Sequence, residues 1–88
     1  MISYDLNSMG QDYPSVTKTI QSLGSWARVQ KSVWYVESAF NAESAAHKIY
    51  ASMDANDSLI VIDASSNEAF WYGVSDEVGQ HLQAHWSK

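Results

Sequence analysis

The 88-residue chain contains no cysteine, a single proline and few basic residues. The lack of cysteine excludes disulfide bonds and thiolate metal sites. Its apolar runs, such as Leu59–Ile62, are far shorter than the ~20 residues that a membrane-spanning helix needs. Its first residues also lack the basic head and apolar stretch of a secretory signal. We therefore expect a cytoplasmic protein with no membrane segment.

Positive charge is scarce: ten acidic residues stand against five basic ones, which gives a net charge of −5. An acidic protein repels the phosphate backbone unless its basic residues cluster. Only Arg28 and Lys31 are near neighbours in the sequence. The charge therefore disfavours a nucleic-acid partner, although these two residues leave room for a local patch.

The length predicts one domain over residues 1–88, because only much longer chains divide. A domain of this size removes only ~60% of its unfolded surface from water. Apolar residues make up 45% of the chain, and four tryptophans and five tyrosines supply large side chains to bury. Pairing with a second copy would stabilise such a small core further.

The first half of the chain predicts a strand, a helix and two more strands. Alternating apolar residues indicate a strand over Ile2–Leu6. The following helix is capped by Asp12 and ended by Gly24, with an apolar face of Tyr13, Val16, Ile20 and Leu23. A stretch rich in β-forming residues then predicts strands at Trp26–Gln30 and Val33–Ser38, joined by a tight turn or bulge at Lys31 and Ser32. A single bent strand is the alternative.

The second half predicts a helix, a buried strand, a short strand and a last helix. Asn41 caps the first helix, whose apolar stripe is Ala42, Ala46, Ile49 and Met53. Leu59–Ile62 is typical of a strand that is buried on both faces. Ala69–Tyr72 predicts a short strand or an aromatic plug, and Ser75 caps a helix with the apolar residues Val78, Leu82 and Trp86.

The predicted order is therefore β-α-β-β-α-β with a short strand and a C-terminal helix appended. Right-handed crossovers turn this order into an α+β, ferredoxin-like sandwich. That fold hosts many unrelated activities, so function has to be argued from particular residues.

Two stretches resemble the CRISPR-associated Cas-two superfamily, to which the VapD-like toxin ribonucleases are also related. The first strand ends in Tyr4 and Asp5, and the segment after the helix and glycine reads Arg-Val-Gln-Lys-Ser-Val-Trp from Arg28 to Trp34. Asp57 then precedes an apolar strand, as an aspartate does in that family. The likeness spans most of residues 1–64.

The resemblance implies a homodimer and a possible metal-dependent endonuclease acting on RNA or DNA. In such a nuclease Asp5 would face its symmetry mate, and the two carboxylates would hold Mg²⁺ or Mn²⁺. The remaining residues of the motif would line the substrate groove: Arg28, Gln30, Lys31 and Ser32. The alternative reading of Asp5, from the residues alone, is a solvated carboxylate at the end of a strand.

The charge pattern instead favours a non-catalytic interaction or scaffold role in a defence, phage or toxin–antitoxin setting. The segment 15–19 of the first helix carries one lysine, where phosphate binding would require several. The sequence therefore predicts a homodimer with a protein partner, and the endonuclease is the alternative.

Two further patterns have weaker functional interpretations. His81 and His85 share one face of the last helix, but no third metal ligand is evident. The aromatic residues could form a base-stacking surface, although packing in the core or in a dimer interface is favoured: Trp26, Trp34, Phe70, Trp71 and Tyr72.

Overall fold

A computed structural model describes residues 1–6, 13–54 and 57–85. Its elements follow the predicted order: β1 (Ile2–Asp5), α1 (Tyr13–Ser22), β2 (Gly24–Gln30), β3 (Val33–Ser38), α2 (Ala42–Tyr50), β4 (Ser58–Asp63), β5 (Glu68–Tyr72) and α3 (Asp76–His85). The strands form one sheet in the order β2-β3-β1-β4-β5, and every neighbouring pair is antiparallel. The chain is therefore an α+β protein, as predicted.

One face of the sheet packs against α1 and α2 and forms the core. In β1 the two-residue period is confirmed, because Ile2 and Tyr4 are buried and Asp5 is exposed. Trp34 lies opposite Ile2 and is 1% exposed, and its indole N–H donates to the Tyr4 hydroxyl at 3.4 Å. The helices complete the core with small and branched side chains: Val16, Ile20, Ala42, Ala45, Ala46 and Ile49.

Side-chain caps begin two of the helices, as predicted. The Asn41 side chain accepts the Ser44 N–H at 2.8 Å at the start of α2. The Ser75 hydroxyl accepts the Val78 N–H at 3.2 Å at the start of α3. Both bonds satisfy an amide that a helix leaves without an internal acceptor. The other predicted cap, Asp12, and the last predicted apolar residue, Trp86, lie outside the described residues.

The second face of the sheet, called the open face below, is not covered by α1 or α2. Its central row runs across four strands, since Ser3 lies opposite both Val33 and Ile60, and Ile60 lies opposite Trp71. The prediction that β4 is buried on both faces is therefore wrong. Leu59 and Val61 are buried, whereas Ile60 and Ile62 on the open face are only half-buried. Among the residues that the structure describes, no element covers the centre of this face.

Helix α3 contacts the open face only at its edge. A Cβ atom placed on Gly79 would lie 3.4 Å from the Trp71 indole nitrogen, so the helix approaches the sheet there. None of its residues is buried, and Val78 is 48% exposed. Across the described ranges, no helix is long and apolar enough to cross a membrane.

Candidate functional site

The structure brings the five predicted site residues to one end of the sheet. The Tyr4 N–H donates to the Ser32 carbonyl at 3.1 Å, which fixes the β2–β3 turn beside the end of β1. Asp5 is the next residue of β1, and Arg28, Gln30 and Lys31 belong to that hairpin. The antiparallel pairing of β2 with β3 confirms two strands rather than one bent strand.

Arg28 stabilises the hairpin. Its Nε and Nη2 atoms donate to the Lys31 carbonyl at 3.1 and 2.7 Å. Its guanidinium carbon also lies 4.8 Å from the centre of the Trp34 ring, within the range of a cation–π interaction. Two of its donors are thus used inside the chain, which leaves it less able to form a bidentate contact with phosphate.

The other hairpin residues have a local structural role as well. Lys31 and Ser32 form a turn, as one of the two predicted forms of this junction, and the register of β2 on β3 shifts just before it, between Arg28 and Gln30, where a β-bulge lies. The side chains of Gln30 and Lys31 are exposed, and Ser32 is half-buried. Gln30 and Lys31 are therefore accessible to a ligand.

Asp5 is exposed on the open face, opposite Ser58. One carboxylate supplies too few oxygen ligands for Mg²⁺ or Mn²⁺. Within the part of the chain that the structure describes, no group of three or more His, Cys, Asp or Glu side chains is placed to hold a metal ion. His81 and His85 are therefore not part of such a group either; their ring centres are 4.4 Å apart on the exposed surface of α3. A metal at Asp5 would need ligands from a second copy.

Asp57 is the residue at this end whose role the sequence reasoning did not foresee. It is fully buried, and its carboxylate accepts the Asp54 N–H at 2.8 Å while its own N–H donates to the Asp54 carbonyl at 3.1 Å. The Tyr50 hydroxyl donates to the Asp57 carbonyl at 3.3 Å. Burial, together with the negative charge of Asp57, raises the pKa of Tyr50. The Asp-x-x-Asp spacing in a turn was the available signal.

The aromatic side chains do not form a stacking surface on the open face. Trp26 packs edge-on against Trp34 at 5.3 Å on the helix-covered face, and Tyr72 stacks on Tyr50 at 4.2 Å with the rings 7° from parallel. Phe70 lies on the same side as Tyr72, 5.4 Å from the ring of His47. Of the five predicted aromatics, Trp71 alone lies in the row of the open face.

A cavity of about 330 Å³ lies at the opposite end of the sheet, between β3, β4 and the start of α2. Met1, Glu37 and Asp63 are among the residues that line it. Hydrogen bonds from Ser65 and Ser66 lower the pKa of Asp63, and burial lowers the pKa of the Met1 ammonium. No predicted site residue lines this cavity.

Comparison of the chain with protein-family models, with curated proteins and with solved structures finds no match.

Proposed function

We propose that this protein is a non-catalytic homodimer, an interaction or scaffold protein whose two copies pack through the open faces of their sheets. The observation that carries the proposal is the row of apolar side chains that α1 and α2 leave uncovered. Tyr35 is 49% exposed on this face, and Ile60, Ile62 and Trp71 are half-buried. An exposed apolar patch on a small protein marks an interaction surface.

The charge distribution supports a second copy of the chain as the occupant. Among the described strand residues of the open face, the carboxylates are Asp5 and Glu37, which lie at opposite ends. The centre is uncharged, as in the cores of protein interfaces. A net charge of −5 opposes binding of nucleic acid to the same surface.

The residue sizes along the central row favour self-association. Ser3 is a small residue between Val33 and Ile60, and Trp71, a large residue whose indole nitrogen approaches Gly79 of α3, lies beyond Ile60. A two-fold axis parallel to the strands and lying over β4 places Trp71 of each copy above Ser3 of the other. The strands that carry them are equally distant from β4 in the order β1-β4-β5.

The size of the face predicts a reversible dimer. With the axis over β4 only β1, β4 and β5 of the two sheets overlap, and three strands at ~4.8 Å spacing with roughly five residues at ~3.4 Å each give a flat area of about 250 Å². A stable interface of standard size buries about 800 Å² on each partner. The dimer should therefore dissociate on dilution, and the exposed apolar residues of α3 are available to enlarge it.

We also assign the first four strands and two helices to the ferredoxin-like fold, with β5 and α3 as additions. The order β2-β3-β1-β4, antiparallel throughout, and the placement of α1 and α2 on one face support this assignment. A setting in defence, phage biology or a toxin–antitoxin pair rests on the Cas-two resemblance alone.

The endonuclease is the alternative, and it is favoured by the exposure of Asp5 on the open face. It requires a two-fold axis over β1, which would bring the two Asp5 carboxylates together. With the axis over β4, the two Asp5 residues are separated, across the strands, by roughly two strand spacings, ~10 Å. A divalent ion with ligands at ~2–2.6 Å cannot bridge them.

Sedimentation equilibrium over a wide range of protein concentrations tests the proposal. We expect a reversible monomer–dimer equilibrium. A chain that remains monomeric at the highest concentration would refute it.

A further inference from the structure

Helix α3 leaves its apolar side uncovered in the single chain. Val78 and Leu82 are four residues apart and therefore lie on the same side of the helix. Val78 is 48% exposed, and Leu82 is half-buried. The apolar stripe of a helix in a globular protein normally faces a core. Among the described residues no core receives this one, because no Cα atom of α3 lies within 8 Å of a Cα atom of another helix or strand.

A contact with Trp71 positions α3 at the β5 edge of the sheet. A Cβ atom on Gly79 would lie 3.4 Å from the Trp71 indole nitrogen. The shallow pocket at this contact is lined by Trp71 and by residues between 73 and 83, and by no described residue of β4. Because a helix turns by about 100° per residue, Val78 points away from the side of α3 that meets Trp71. The apolar side of α3 is thus available to a second surface.

The proposed two-fold axis over β4 determines what α3 meets in the dimer. In the order β3-β1-β4-β5, strands β1 and β5 are each one strand spacing from β4, and β3 is two spacings from it. Helix α3, at the β5 edge, is roughly two spacings from the axis on the other side. Rotation by 180° therefore places α3 of each copy over β3 of the other. Strand β3 lies outside the area in which the two sheets overlap, so the helix covers a part of the open face that the sheets leave bare.

The position of α3 along the strands matches an apolar part of β3. An axis parallel to the strands leaves the position along them unchanged. Gly79 is beside Trp71, which is level with Ser3 and Val33 in the central row. Val33 and Tyr35 point to the open face from β3, where Val33 is half-buried and Tyr35 is 49% exposed. Apolar side chains of α3 thus meet apolar side chains of β3 at the same level.

We infer that α3 is an arm that completes the dimer. Its apolar side chains, Val78 and Leu82, pack on β3 of the other copy. There they contact Val33 and Tyr35. The interface area supports this contact, because the overlapping strands supply about 250 Å² whereas a stable interface buries about 800 Å² on each partner. The inference rests on the proposed homodimer, and it adds a segment that the packing of the two sheets does not by itself require.

Disulfide cross-linking of single-cysteine variants tests the inference, since the chain has no cysteine of its own. Val78→Cys mixed with Tyr35→Cys should give a covalent dimer on mild oxidation. Neither variant alone should do so, because the axis over β4 separates the two copies of either residue by roughly four strand spacings, ~19 Å. A disulfide needs Cα atoms within ~7 Å of each other. Val78→Cys mixed with Lys18→Cys, on the exposed side of α1, is the control and should not cross-link.

Sedimentation equilibrium of the same variants under reducing conditions separates this inference from the proposed dimer. If the reduced mixture dimerises but oxidation yields no cross-link between positions 78 and 35, the dimer stands and the role of α3 is overturned. Cross-linking of Val78→Cys alone at the rate of the mixture would also overturn that role. An unmodified chain that remains monomeric at every concentration would refute both.

Substitutions in α3 provide a second measurement. Leu82→Ser should raise the dissociation constant of the dimer by about tenfold or more, because it removes an apolar side chain from each of two symmetric contacts. Gln83→Ser, on the side of α3 that lines the pocket beside Trp71, is the matched control and should leave the constant unchanged. Both variants should keep the circular dichroism spectrum of the unmodified chain. Equal dissociation constants for the two variants would contradict a contact through the apolar side of α3.

Discussion

Ile60 and Trp71 lie directly opposite each other on adjacent strands, on the face of the sheet that α1 and α2 do not cover. Cross-strand pairs of an aromatic and a β-branched residue stabilise a sheet by roughly 0.2–1 kcal/mol. Both side chains are only half-buried in the single chain, so much of their apolar area is still in contact with water. Further burial of this pair is the driving force that we propose for the dimer.

Ser3→Phe should weaken the dimer although it adds apolar surface. The new ring would occupy the space that Trp71 of the other copy takes in the proposed arrangement. Sedimentation velocity should show a larger dissociation constant for this variant. Ser25→Phe, on the same face but on the edge strand β2, is the matched control and should leave the equilibrium near that of the unmodified chain. If Ser3→Phe strengthens association, general stickiness rather than shape governs the face.

Asp5→Asn should not change the rate at which the protein cleaves nucleic acid in the presence of Mg²⁺ or Mn²⁺. In the proposed dimer the two carboxylates are too far apart to share an ion, and Arg28 is engaged with Lys31. Labelled RNA and DNA substrates, single- and double-stranded, provide the measurement. Metal-dependent cleavage by the unmodified chain that disappears in Asp5→Asn would establish the endonuclease instead.

Asp57→Ala should destabilise the fold by about 1–3 kcal/mol, because it leaves the Asp54 N–H without its carboxylate acceptor. Chemical denaturation followed by tryptophan fluorescence gives the free energy of unfolding. Asp54→Ala is the control, since the exposed Asp54 contributes backbone groups to the turn and its carboxylate is not buried. An equal loss in both variants would contradict the structural role of the buried carboxylate.

The fold should lose stability at acid pH when Asp63, beside the cavity, is protonated. Hydrogen bonds from Ser65 and Ser66 lower its pKa below the ordinary value of 3.8. Because the pKa of Asp63 is lower in the folded state, its ionised carboxylate stabilises the fold. This stabilisation is fully present above the unfolded pKa and is lost as the pH falls through the folded pKa. Ser65→Ala should raise the pKa of Asp63 towards 3.8, as measured by NMR titration of its carboxyl group. Ser25→Ala should not change it, and an unchanged pKa in Ser65→Ala would be the contradicting result.

The order of the elements could be predicted from the sequence because the local signals agree with one another. The caps at Asn41 and Ser75 are confirmed, and the alternation in β1 places Ile2 and Tyr4 in the core. The run Leu59–Ile62 was misleading, because half-buried apolar residues on an uncovered face give the same sequence pattern as residues under a second layer of the same chain.

The site was harder to predict because it depends on how strands line up. The sequence alone did not show that Arg28 donates to the Lys31 carbonyl, since the bond exists only once the hairpin closes. The pairing of β1 with β3 and β4 likewise depends on registers that local patterns leave undetermined.

The most direct measurement of the central claim is sedimentation velocity of Ile60→Lys beside Ser22→Lys. The first change places a charge at the centre of the open face, and the second places the same charge on the exposed end of α1. We predict that Ile60→Lys is monomeric at concentrations where the unmodified chain and Ser22→Lys form dimers, with all three giving the same circular dichroism spectrum. A folded Ile60→Lys that dimerises as well as Ser22→Lys would contradict the account.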